Sequence, residues 1–167
     1  MPEYQRMSFR LDTSRLTMRP WTLDDAESVQ ALHAERGDGT PAIEDVRQLI
    51  ADALIATERT GIALLPIRRR DEDDVIGYCG LIVGRATIDE PEIAYELRRH
   101  THGCGYATEA ASAVVEAAAA TGRTRLWSTV RTWNTPSLRV LEKLGFERDR
   151  VTADDRGELV WLTRVLT

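Results

Sequence analysis

Hydrophobic positions along this chain switch between two periods, and each switch marks an element. In "SRLTMRP", Leu16 and Met18 alternate with polar neighbours up to Pro20, the pattern of a strand ended by its proline. The period changes in "TLDDAESVQALHAE", where Ala26, Val29 and Leu32 fall on one helical face. Thr22 supplies an N-cap there, Asp25 is its capping-box partner, and Gly37 and Gly39 end the segment. "IEDVRQLIADALIATERTG" repeats the helical period through Val46, Leu49, Ile50, Ala53 and Leu54, with Gly61 as its stop. Two strand-like runs follow, "IALLPIR" and "VIGYCGLIVG". The charged "RRDEDD" between them reads as a solvated hairpin tip, with substrate steering as its alternative.

In the second half, "EIAYELR" predicts a strand and the alanine-rich stretch from about Tyr106 a helix. "TRLWSTVR" predicts a strand, "SLRVLEKLG" a short helix and "ELVWLTRVL" a last strand. The predicted order is β-α-α-β-β-β-α-β-α-β. Strand, glycine turn, helix and strand make a βαβ unit inside an otherwise antiparallel sheet, so the class is α/β. A length of 167 residues suits one domain, taken as 1–167.

Composition adds limits. A hydrophobic share of 43% with 29% charged residues suits a soluble globular chain. The net charge of −5 argues against nucleic acid as a partner and favours a cationic one. Cys79 and Cys104 fit neither a CxxC nor a zinc pattern, which points to a reducing, cytoplasmic setting and no metal. "MPEYQRMSFR" lacks the apolar core of a signal peptide, and no run approaches a membrane span.

The segment "RHTHGCGYATEA" places Gly103, Gly105 and the small Ala107 where the alanine-rich helix begins. First-turn N–H groups and the positive dipole end form an anion site, and glycines let a bulky phosphate approach the amides. The loop therefore suits a pyrophosphate. It is not a Walker A loop, because no Lys-Ser/Thr pair follows Gly105. Nor is it a dinucleotide fingerprint, because Thr108 breaks the pattern and no acidic residue stands at the ribose spacing. The same residues also suit a plain βα turn, with the alanine helix packed close to the sheet.

"LDTSRLTMRPWTLDDA", "EIAYELRRHTHGCGYATEA" and "WNTPSLRVLEKLGF" together resemble the GNAT superfamily of acetyl-CoA-dependent N-acetyltransferases. Within it, the nearest likeness is to the RimJ/RimL branch of ribosomal-protein N-terminal acetyltransferases. The likeness runs in family order from about Leu11 to the C-terminus. The family loop pattern, Gln/Arg-x-x-Gly-x-Gly/Ala, falls on His102, Gly105 and Ala107, with His102 departing from the usual first residue. Arg98-Arg99 stand where the family commonly has Asp-Pro, which predicts a denser positive edge beside the phosphates.

The resemblance implies a mixed, mostly antiparallel sheet with a splayed parallel strand pair and flanking helices. It implies acetyl-CoA as cosubstrate and no metal. The pyrophosphate would lie on His102, Gly103, Cys104, Gly105, Tyr106, Ala107 and Thr108. The pantetheine would pair with exposed backbone at Tyr95, Glu96 and Leu97. Asn134 matches a position that hydrogen-bonds the pantetheine or its thiol end, and capping of the next helix is compatible with that role.

The implied reaction is direct acetyl transfer, in a ternary complex, to the primary amine of a protein N-terminus or small molecule. An α-amine with a pKa near 8 is about one-tenth neutral at pH 7, against roughly one lysine in 2,500. Many family members use a tyrosine after the Asn134 position as general acid; here Leu141 stands there. Ser137 is then the expected donor to the thiolate, with N-capping as its alternative. Glu92 is the expected base, directly or through water, and Glu96 the second choice; both also read as solvated strand carboxylates. Backbone N–H groups near Leu97 would hold an oxyanion.

Trp21, beside Arg19 in "RLTMRPW", and Trp133 are expected to line the acceptor pocket, with core or edge packing as the alternative. His33 and His100 read as surface residues and Cys104 as an inert loop thiol. With Glu92 and Glu96 in the cleft, a cationic acceptor is expected over an anionic one. No nucleic acid or membrane partner is expected, and a homodimer is allowed. The alternative from another class is a catalytically silent acyl-CoA-binding module of the same fold, which the missing tyrosine and Arg98-Arg99 leave open.

Overall fold

The two periods build an eight-stranded sheet in a computed structural model that describes residues 3–72 and 74–167. The strands are β1 (Leu11–Asp12), β2 (Leu16–Met18), β3 (Leu64–Arg69), β4 (Val75–Ile82), β5 (Glu92–Leu97), β6 (Arg125–Arg131), β7 (Glu147–Asp154) and β8 (Gly157–Val165). The helices are α1 (Ala26–Ala34), α2 (Ile43–Thr60), α3 (Tyr106–Ala120) and α4 (Thr135–Lys143). The sheet order is β1-β2-β3-β4-β5-β6-β8-β7, and the only parallel neighbours among the described residues are β5 and β6. This is the expected mixed α/β sheet with one βαβ crossover.

Two strands were not anticipated. β1 is two residues long. All eight residues of β7, "ERDRVTAD", are exposed, so no hydrophobic period betrays it. Its pairing to β8 and the stacking of Arg150 on Trp161, 4.1 Å away, hold it as a charged edge strand.

Asp25 makes its half of the expected capping box, its Oδ2 accepting from the Thr22 N–H at 2.9 Å, while the Asp25 N–H donates to the Thr22 carbonyl at 3.0 Å as the main-chain bond of the turn. One short 3-10 turn, Leu23–Asp25, precedes α1 proper. In α2 the buried stripe narrows to Val46 and Ile50, with Leu54 partly covered. Leu49, expected on that face, is 52% exposed. It lies off the stripe that meets α1. Gly61 ends α2 in the left-handed region. At the β3–β4 tip, Arg69 pairs with Glu72 and Asp74, each at 2.5 Å; Asp73 of the predicted charged tip lies outside the described residues.

The main core lies under α3, which buries Ala110, Ala111, Val114, Val115, Ala117 and Ala118. Side chains this small let the helix axis approach β4 and β5 closely. That close seat sets the height of the loop leading into the helix.

Candidate active site

Parallel pairing of β5 with β6 lasts one register position, Glu92 opposite Trp127. The Trp127 N–H donates to the Pro91 carbonyl at 3.0 Å. The next rung is filled by a side chain, with Ser128 Oγ donating to the Ile93 carbonyl at 3.1 Å. Beyond it the strands part. Pro91 and Ile93 thus turn their carbonyls toward β6, whereas the Arg98 N–H donates to Ile76 on β4 at 2.7 Å. Strand alternation therefore opens the backbone of Tyr95 and Leu97 to the gap. Glu96, opposite Tyr78, turns its backbone to β4, which corrects its expected place on the cofactor-facing edge. His102 Nε2 donates to the Leu97 carbonyl at 2.9 Å and ties the glycine loop to the strand.

That loop ends in an unusual run of donors. The His102 N–H is bonded to Arg99, and the first bond of α3 runs from the Glu109 N–H to the Gly105 carbonyl at 3.1 Å. Among the described residues, nothing accepts from the six amides of residues 103–108. Gly103 and Gly105 sit at φ 77° and 81°. A Cβ on Gly103 would meet nothing within 4 Å; one on Gly105 would lie 3.4 Å from Arg15 Nη2.

Arg15, in the turn between β1 and β2, was missed in the sequence. Its Nη1 donates to the Cys104 carbonyl at 2.8 Å, and its guanidinium stacks on Tyr106 at 4.4 Å. Its Nε donates to Glu109 Oε1 at 2.7 Å, and Glu109 Oε2 accepts from the Arg15 N–H and the Thr13 hydroxyl. Burial works to raise the Glu109 carboxyl, but hydrogen bonds from Thr13 and Arg15, with the charge of Arg15, hold it below its ordinary value. The only signal for Arg15 was its place in "DTSRLTMRP", 94 residues from its partner. Pinning the Cys104 carbonyl toward Arg15 leaves the amides free to face an anion.

The gap opens into a cavity of about 360 Å³ walled by residues that include Arg85, Glu92, Tyr95, Arg131, Asn134 and Ser137. Asn134 caps α4, its Oδ1 accepting from the Ser137 N–H at 3.4 Å. Ser137 is therefore not the cap, and among the described residues its hydroxyl has no hydrogen-bond partner. The Tyr95 hydroxyl donates to the Ser137 carbonyl at 2.9 Å, and burial raises its pKa so that it stays protonated. Leu141 is fully buried in the core.

Glu92 is 3% exposed, which corrects its reading as a solvated carboxylate. Its Oε1 accepts from the Thr129 hydroxyl at 2.6 Å and its Oε2 from the Arg85 N–H at 2.5 Å. Gly84 makes room for that carboxylate, since a Cβ there would lie 1.9 Å from Oε2. Glu96 does not line the cavity: Arg36 grips it through Nε at 2.9 Å and Nη2 at 2.5 Å, and the Tyr78 hydroxyl donates at 3.2 Å.

The positive edge expected from Arg98-Arg99 is corrected as well. Arg98 Nε and the Arg99 N–H both donate to the Glu35 carboxylate just past α1, and Arg99 Nη2 donates to its carbonyl at 2.5 Å. These arginines fasten α1 to the sheet. Trp21 packs on the small α1–α2 core with Val29, Val46 and Ile50. Trp133 is 76% exposed, and neither tryptophan lines the cavity. Cys104 is exposed, with its Sγ 3.7 Å from the His102 carbonyl. Among the described residues there is no cluster of His, Cys, Asp and Glu suited to a metal, and no helix long and apolar enough to cross a membrane.

Residues 15–147 match the family profile described as an acetyltransferase (GNAT) domain. The uncharacterized N-acetyltransferase YoaA of Bacillus subtilis is 33% identical over 150 residues, covering 84% of each chain. An acetyltransferase structure from Agrobacterium tumefaciens matches at 25% identity and a TM-score of 0.77, covering 93% of each chain. RimL, a ribosomal-protein alpha-N-acetyltransferase solved in complex with coenzyme A, shares the fold at a TM-score of 0.82 and 13% identity, over 94% of this chain and 98% of its own. A profile match across most of the chain, on a sheet split beside a run of free amides, makes this protein a member of the GNAT family of N-acetyltransferases.

Proposed function

We propose that the chain uses acetyl-CoA to acetylate the primary amine of a protein N-terminus or a small molecule, within a ternary complex. Bound acetyl-CoA supplies a thioester, an electrophilic carbonyl with a sulfur leaving group. The amides of residues 103–108 would hold its pyrophosphate, with the half-exposed Arg15 adding charge. The Tyr95 backbone and the Leu97 N–H would take the place of strand partners along its pantetheine arm, the Leu97 carbonyl being held by His102. Asn134 and Ser137 stand at the cavity wall for its thiol end.

The Ser137 hydroxyl donates a hydrogen bond where thiolate charge develops. The Glu92 carboxylate, through its remaining lone pairs or a water, takes the proton the amine gives up. An α-amine needs mainly positioning, because about one-tenth of it is already neutral at pH 7. The observation that carries this reading is the run of six acceptor-free amides beside the open strand edge. Calorimetric titration with acetyl-CoA, followed by CoA release with a panel of amines, tests it. Binding without release from any amine would favour the silent module, for which the buried Leu141 in place of an acid speaks.

A further inference from the structure

The charges that reach the cavity are few. Glu92 lines the cavity but is 3% exposed, with each oxygen accepting one hydrogen bond, from the Thr129 hydroxyl and the Arg85 N–H, and Glu96 is outside. Arg131 is bound through both arms of its fork to Asp154, at 2.8 and 2.9 Å, and donates again to the Gly157 carbonyl at 3.2 Å. That pairing holds the Asp154 carboxyl down at about 2, so the two remain a closed ion pair.

Arg85 differs. Among the described residues its guanidinium makes one hydrogen bond, to the Thr129 hydroxyl at 3.2 Å. Its nearest carboxylate is Asp154, 4.0 Å away and already held by Arg131. The side chain is 50% exposed, while its own backbone N–H is fixed to Glu92. A guanidinium with spare donors, rooted in a fixed turn at a cavity wall, is built to take a carboxylate in its fork. A cationic acceptor would meet it as a like charge.

Resting on the acetyl-transfer reading, we propose that Arg85 selects the acceptor and that the preferred acceptor is a primary amine carrying a carboxylate close to that amine. This reverses the preference for a cation expected from overall charge and from Glu92 and Glu96. The carboxylate belongs either to a free amino acid or to an acidic first residue of a peptide, and both present the same chemistry to Arg85.

The test uses acceptors paired to differ in one carboxylate, with rates expressed per neutral amine so that differences in amine basicity cancel. Peptide amides beginning with Asp, Asn or Lys form one arm, and free alanine and alaninamide the other. The readout is kcat/KM from CoA release at fixed acetyl-CoA. The carboxylate-bearing member should exceed its amide partner by about tenfold in at least one arm, with the Lys peptide slowest in its own. That ratio should collapse toward one in Arg85→Gln and recover in part in Arg85→Lys. The arm that discriminates identifies the source of the carboxylate. Equal rates for the carboxylate-bearing and amide members in both arms overturn the role of Arg85 and leave acetyl transfer standing. So does an unchanged ratio in an Arg85→Gln protein whose acetyl-CoA affinity shows it to be folded. No CoA release from any acceptor overturns acetyl transfer itself, and this inference with it.

Discussion

The hydroxyl of Tyr95 on β5 donates to the main-chain carbonyl of Ser137 in α4 at 2.9 Å, spanning the gap where the sheet divides. Tyr95→Phe removes that bond, at a cost of about 1 kcal/mol in urea unfolding. The same bond locates Ser137, so on the proposed roles kcat should fall while acetyl-CoA affinity, assigned there to the glycine loop, holds. A normal kcat in a destabilised protein would assign the bond to folding alone.

Gly105→Val should abolish acetyl-CoA binding in calorimetry. The residue sits at φ 81°, and a branched side chain would begin 3.4 Å from Arg15 Nη2, in front of the free amides. Arg15→Met should weaken binding by about tenfold, through loss of both the Cys104 pin and a charge, and Arg15→Lys by less. Wild-type affinity in both Gly105→Val and Arg15→Met would remove the phosphate cradle from this loop.

Ser137→Ala should reduce kcat by roughly 10²-fold with little change in acetyl-CoA affinity, as for a hydrogen bond that matters when charge develops. Should affinity fall with kcat intact, Ser137 would be a binding residue and the proton donor would lie elsewhere.

Glu92→Gln should lower kcat more at pH 6 than at pH 9, where an α-amine is already neutral and needs no base. Equal losses at the two pH values would make Glu92 a positioning residue for the turn at Gly84 and Arg85. The contacts at Oε1 and Oε2 allow that outcome and give it a structural signature, a lowered melting temperature at both pH values.

Stability should decline in acid through the partnered carboxylates. For Glu109 and Glu35, burial opposes ionisation, but hydrogen bonds and nearby arginines outweigh it and the folded pKa lies below the ordinary value. Each such group contributes stability that is fully present above the unfolded value, about pH 4.3, and is lost as pH falls through the folded one. Melting temperature measured from pH 6 downward should fall below about pH 4.3, and less steeply in Glu109→Gln. Parallel curves for the two proteins would mean that the Thr13–Arg15–Glu109 cluster does not depend on the carboxylate charge.

What the sequence determined by itself was local. The 3.6-residue period of Val46, Ile50 and Leu54, the strand run of "EIAYELR" and the glycines before Tyr106 each act over a few residues, and the elements formed where those signals stand. The glycine turn before α3 and the Asn134 cap of α4 were legible because their motifs are contiguous. Tertiary structure decided the rest. β7 has no buried face to give it a period and exists because β8 offers a ladder. Glu92 and Glu96 share a strand and a residue type, yet a turn at Arg85 encloses one and Arg36 near α1 takes the other. Arg15 acquires its place over the glycine loop only when β1–β2 meets α3, 94 residues downstream. Periodicity is a property of neighbours along the chain; the charge partner of a side chain depends on which distant residues folding brings within about 3 Å, and no local pattern encodes that choice.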